Sequence, residues 1–184
     1  GMYSIIYKAN LIIDLLAPDS NTKKRAVAEA KFFHAWANFE LVTLFGTAPI
    51  VDHLLLPDEY RPVNSTPEGL WSIIESDLCD AIDSGVLPSK ADANDSETTI
   101  RVTREVAQAM LGKACLFQGK YAEAASILDK VIESGKYRLY EGDYDMLLHV
   151  AANGSSESTP EVQKRNDSEQ AWNQMPMPFL LPGR

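Results

Sequence analysis

Few residues in this chain have the types and spacing that chemistry needs. Three histidines, His34, His53 and His149, lie far apart and outside any metal-ligand spacing. Packing or surface roles are expected of them. The run Asp92-Ala93-Asn94-Asp95-Ser96-Glu97 carries the hard oxygen ligands that calcium takes. It lacks the loop glycine and the terminal glutamate spacing of a calcium loop, so a solvated loop is expected. Glycoside hydrolysis needs two carboxyl groups facing one scissile bond. Glu75 with Asp80, or Asp77 with Asp83, supply the types, but they read as solvated charge on one helix side. No Gly-x-Ser-x-Gly elbow, phosphate loop or dinucleotide fingerprint occurs. The expectation is no catalytic residue, no metal and no cofactor.

Sugar capture is the one chemistry with candidates. A pyranose has an apolar C–H face and polar edges, so it is held by an aromatic plate beside amide or charged groups. Trp172-Asn173 near the end of the chain and Tyr60-Arg61 in a turn-rich segment offer that chemistry. Trp172, Asn173 and Tyr60 are the candidate glycan contacts. Trp36 reads as core, and Trp71 as packing at the start of a helix.

These residues must be positioned by helices. Ile5, Ile6, Ala9, Ile12, Ile13 and Leu16 recur at helical spacing, which predicts a first helix over 3–16. A second, over 23–45, is apolar on most faces and so reads as buried. Gly46 caps it and Pro49 cannot extend it. Thr66-Pro67 opens a third helix that ends at Gly85, with Leu70, Ile73, Ile74, Asp77, Leu78, Ala81 and Ile82 on one face. Residues 88–99 read as a mobile polar loop. A fourth helix spans 103–118, a fifth 121–134, and a short turn of helix 143–148. No strand alternation is present. The expected class is all-α, with a helical core over 1–152 and an irregular tail over 153–184.

Composition narrows the function. The chain has 184 residues, 17 basic against 26 acidic, and a net charge of −9. A phosphate backbone would be repelled, so nucleic acid is not an expected partner. A chain of this length buries enough surface to fold without disulfide or metal. Two cysteines, Cys79 and Cys115, sit in helical apolar patterns and read as buried thiols, with a bond between neighbouring helices as the other reading.

The fourth and fifth helices carry a tetratricopeptide-like pattern: Leu111-Gly112, then Cys115, Gly119-Lys120-Tyr121, Ala124 and Leu128. Small residues at 112 and 124 would let two antiparallel helices touch, with Tyr121 filling the gap at the turn. Units of this kind stack, because one pair cannot bury its apolar face alone.

Six blocks in order resemble a known family. They are Tyr7-Lys8-Ala9-Asn10-Leu11-Ile12; the helix from Ala28 to Val42; Leu44-Phe45-Gly46-Thr47-Ala48-Pro49; Ile74-Glu75-Ser76-Asp77-Leu78-Cys79-Asp80-Ala81 with Leu87-Pro88; Arg101-Val102-Thr103-Arg104; and Val131-Ile132-Glu133-Ser134-Gly135-Lys136-Tyr137-Arg138-Leu139. Ser158-Thr159-Pro160-Glu161-Val162 adds a weaker step. These blocks resemble the SusD/RagB family of glycan-binding outer-membrane lipoproteins of Bacteroidetes. The family usually has arginine where His34 stands, and its members are much longer, so the chain is expected to be their repeat-bearing core. The resemblance implies a non-catalytic glycan-binding part of a nutrient-uptake system at the outer-membrane surface. It implies two partners, an oligosaccharide and a SusC-like TonB-dependent transporter. The family's glycan contacts align with none of the blocks here. The alternative is a tetratricopeptide-type interaction scaffold with no sugar ligand. Ile5, Ile6, Ile12 and Ile13 are further expected to leave a patch on the first helix that supports self-association or is covered by the chain's own tail.

Overall fold

The computed structural model describes residues 1–95, 98, 101–149 and 152–159. Five α-helices follow one another: α1 Met2–Leu15, α2 Asn21–Phe45, α3 Pro67–Asp83, α4 Arg104–Phe117 and α5 Tyr121–Glu133. Short 3₁₀ turns cover Pro57–Glu59 and Tyr144–Leu148. No strand occurs among the described residues, so the chain is all-α. Each helix packs chiefly against the next in sequence, from α1 on α2 through to α4 on α5. This is the stacking logic of repeat proteins.

Local chemistry sets the boundaries. Ser20, Thr66 and Thr103 each accept a hydrogen bond from the backbone N–H three residues on, which caps α2, α3 and α4. Gly119 has φ +75°, a conformation that few other residues adopt, and so closes α4. The Lys120 amide then donates to the Cys115 carbonyl at 3.0 Å and turns the chain into α5. Gly112 and Leu128 lie equally far from that turn, so α4 and α5 run antiparallel. A Cβ at Gly112 would meet Leu128 Cγ and Cδ2 at 2.7 Å. The glycine is thus the point of closest approach, and Ala124 is buried beside the same interface.

The core runs along the inner faces of the stack: Ile6, Phe32, Ala35, Phe39, Leu70, Ile74, Leu78, Ala107 and Ala114 among others. Three cation–carboxylate pairs add ties outside it. Lys31 bonds Asp80 between α2 and α3. Lys120 Nζ lies 2.5 Å from Glu75 Oε1, joining α3 to the α4–α5 turn. Arg101 reaches Glu29 on α2 at 3.3 Å.

Several expectations are corrected. Tyr121 does not fill the turn; it is 70% exposed, because the backbone bond from Lys120 closes the corner without it. Helix α2 is not buried all round: Phe33, Leu44 and Phe45 are exposed. The isoleucines of α1 do not form one open patch. Ile6 is fully buried and Ile5 packs on the core, which leaves Ile12 exposed together with Tyr7 and Leu15. Cys79 is exposed, because it faces away from the stripe of Leu70, Ile74, Leu78 and Ala81, while Cys115 is buried; both are free thiols. The segment 88–95 is anchored rather than loose. The Pro88 carbonyl accepts from the Arg104 amide at 2.9 Å, and Lys136 Nζ donates to the Ala91 carbonyl at 2.5 Å. Lys90 is buried with its Nζ 4.7 Å from the centre of the Tyr137 ring.

Candidate functional site

Tyr60 sits at the end of the 3₁₀ turn Pro57–Glu59 and is 66% exposed, so its ring face is open to a ligand. Its mounting is firm. The connection after α2 is held by three helices. From α1, Asn10 Nδ2 donates to the Val51 carbonyl at 2.8 Å and to the His53 carbonyl at 3.1 Å. Asp14, also on α1, accepts from the Leu54 amide at 2.8 Å. From α2, His34 Nε2 lies 3.0 Å from the Val51 carbonyl. From α3, Asp77 Oδ2 sits 2.6 Å from His34 Nδ1. Nearer Tyr60, the His53 ring bridges Asp52 at 2.8 Å and Glu59 at 3.1 Å, and Glu59 also accepts from the Leu56 amide at 2.7 Å.

The charges follow from these contacts. Hydrogen bonds from the His53 ring to Asp52 and then to Glu59 raise the pKa of His53. The His53 hydrogen bond lowers Asp52, and the Leu56 amide followed by His53 lowers Glu59. At His34, burial opposes the charged ring. The Asp77 hydrogen bond, the Val51 carbonyl and the charges of Asp77 and Asp52 outweigh it and raise the pKa. His34, where the family usually has arginine, pairs with Asp77, and Glu29 pairs with Arg101.

Trp172 and Asn173 lie outside the described residues, so Tyr60 is the one sequence candidate that can be located. Trp71 packs edge-on to Phe39 at 5.7 Å. Trp36 is half-buried and borders a cavity.

Three of the four carboxylates weighed as pairs have partners elsewhere, and Asp83 is exposed. Glu75 binds Gln118 and Lys120, Asp77 turns inward to His34, and Asp80 meets Lys31. Asp77 therefore does not lie on the solvated side. In the loop after α3, Asp92 and Asp95 accept hydrogen bonds from the amides of Asn94, Ala91 and Thr98. Among the described residues, no group of three or more His, Cys, Asp or Glu side chains could hold a metal. Burial, and then neighbouring carboxylates, push both thiols above their ordinary range, which makes them poor nucleophiles. No described helix is long and apolar enough to cross a membrane.

Sequence reasoning missed a groove on the outer side of α4. One cavity of about 400 Å³ lies between α4, α5 and the segment after α5, and is lined by Val106, Ala109, Val131, Ile132 and Leu139. A second, of about 370 Å³, lies between α4 and α2, and is lined by Phe32, Phe33, Trp36, Met110 and Lys113. Val106, Ala109 and Thr159 border both, which makes them one continuous depression. The available signal was the all-round apolar character of α2, but the groove joins residues from 32 to 159 that only the fold brings together.

The family described as "Starch-binding associating with outer membrane", a SusD-like family, matches residues 1–116. A SusD-like protein of Formosa agariphila is 33% identical over 42% of this chain and 16% of its own length. The fold is similar to that of a laminarin-binding SusD-like protein, with a TM-score of 0.74 and 31% identity over 82% of this chain and 34% of that one. A SusD-like protein of Bacteroides fragilis shares the fold over 90% of this chain and 33% of its own, with a TM-score of 0.76 at 21% identity. The chain spans about a third of the solved structures it resembles. A family match over residues 1–116, more than half of the chain and reaching from α1 into α4, leads to one conclusion: the chain belongs to the SusD-like family.

Proposed function

We propose that the chain is the helical core of a non-catalytic carbohydrate-binding component of a nutrient-uptake system. It works at the outer-membrane surface beside a SusC-like TonB-dependent transporter. The observation that carries this reading is the family match over residues 1–116 together with the likeness to a laminarin-binding structure. The anchored loop that presents Tyr60 supports it, because a pre-ordered aromatic face loses little entropy when a sugar stacks on it. The stacked helices act chiefly as the scaffold that faces the transporter. Immobilised chain, offered detergent-solubilised outer membranes of its source organism, should retain a TonB-dependent barrel identified by mass spectrometry. Retention no greater than on an unrelated helical protein of equal charge would refute the partnership.

A further inference from the structure

The groove on α4 is mainly apolar, with the charged residues Glu105, Arg138, Glu157 and Lys113 also among its lining. Phe33, Ile132 and Leu139 on its walls are exposed, and its floor is Val106 and Ala109. A depression walled chiefly by hydrocarbon suits apolar protein side chains better than a sugar, most of whose hydroxyls would face apolar walls. The structure also indicates which segment covers it. Thr159 lines both cavities, so the chain enters the groove at the last described residue. It arrives there held in place: the Arg138 amide donates to the Ser156 carbonyl at 3.1 Å, and the Tyr140 amide to Glu157 at 2.9 Å. Twenty-five residues follow, 160–184, and from Ala171 to Pro182 they carry no charge but do carry Trp172, Met175, Met177, Phe179, Leu180 and Leu181.

We propose that residues 160–184 of the same chain are the occupant of the α4 groove, seated against Phe33, Met110 and Ile132. Tethering decides between this segment and a second copy. An occupant joined at the rim acts at an effective concentration of roughly millimolar, well above that of a free chain in dilute solution. The segment reaches either end of the groove, because extended chain spans about 3.3 Å per residue. Trp172 is then drawn towards α4 and away from Tyr60, so the two aromatic candidates do not share one sugar.

Photo-crosslinking in the full chain tests this. Lys113 borders the second cavity and is exposed, so Lys113→p-benzoylphenylalanine places a probe in the groove at the cost of its cation–ring contact with Phe39. Ile132→p-benzoylphenylalanine provides a second position on the first cavity, should the first variant fold poorly. After irradiation and trypsin, the expected product is an adduct within one chain to the peptide 166–184, whose methionines are favoured targets. Replacing Phe179, Leu180 and Leu181 together by Asp should abolish that adduct. Adducts only between two chains would instead assign the groove to a second copy and overturn the proposal. No adduct to 160–184 from either position would overturn it as well.

Discussion

Asp77→Asn probes the buried pair that locks α2, α3 and the Tyr60-bearing connection together. The two nearest partners of the His34 ring are acceptors, the Asp77 carboxylate at Nδ1 and the Val51 carbonyl at Nε2, while Asn38 Nδ2 stands further off, 3.5 Å from Nδ1. Satisfying both takes a ring that donates from both nitrogens, so the fold selects the charged imidazolium. An amide at position 77 brings no charge. An unpaired buried cation costs about 3–5 kcal/mol, so the ring gives up its proton instead. The Nε2–H then keeps the Val51 carbonyl, and the bare Nδ1 accepts from the amide NH2, so no partner is stranded. The loss near neutral pH is a charge-assisted hydrogen bond exchanged for a neutral one, about 1 kcal/mol. The pH dependence should reverse sign. In the parent protein the His34 pKa is raised by folding. Its contribution is therefore complete below the unfolded value of about 6.5 and fades as pH rises through the folded value. In the variant the folded ring resists protonation, so stability falls on acidification by about 1.4 kcal/mol per pH unit below about 6.5. Paired urea denaturation curves from about pH 5 to about pH 8 should show a gap that widens towards acid. A gap below about half a kilocalorie per mole at every pH would refute the charged pair.

Three further substitutions test the stack. Gly112→Ala forces Leu128 to move; overpacking of about 1–3 kcal/mol should outweigh the roughly 1 kcal/mol that alanine adds to helix propensity, for a net loss near 1 kcal/mol by denaturant titration. Thr103→Ala removes the α4 cap and the 3.0 Å contact to the Tyr137 hydroxyl, and should lower stability by about 1–2 kcal/mol in the same assay. Glu75→Gln weakens a half-exposed pair with Lys120, so thermal denaturation should show a loss below about 1 kcal/mol that vanishes in high salt.

The helices were legible because their ends are written in short-range chemistry. Thr66-Pro67, Thr103, Gly46 and Gly119 mark starts and stops that depend on a few adjacent residues. The close contact at Gly112 was legible for the same reason, since the repeat pattern encodes it locally. Lys90 was not, because a lysine in an acidic loop reads as solvated; its burial depends on Tyr137, 47 positions away. Asp77 was ambiguous for a related reason: its place on the inward face of α3 was visible, but its partner His34 is contributed by another helix. Of the candidate site, the exposed aromatic face of Tyr60 was legible from its turn-rich setting, whereas the anchoring by Asn10, Asp14 and His34 was not.

The central claim is that this chain binds carbohydrate without cleaving it. Saturation-transfer NMR on the full chain with laminarin and starch oligosaccharides tests both halves in one sample, because it detects weak binding and reports new reducing ends directly. We predict saturation transfer to glucan ring protons with affinity no better than about millimolar, about −4 kcal/mol, reduced by Tyr60→Ala and with anomeric signals unchanged over the incubation. No transfer to either glucan, or growth of new reducing-end anomeric signals, would contradict the account.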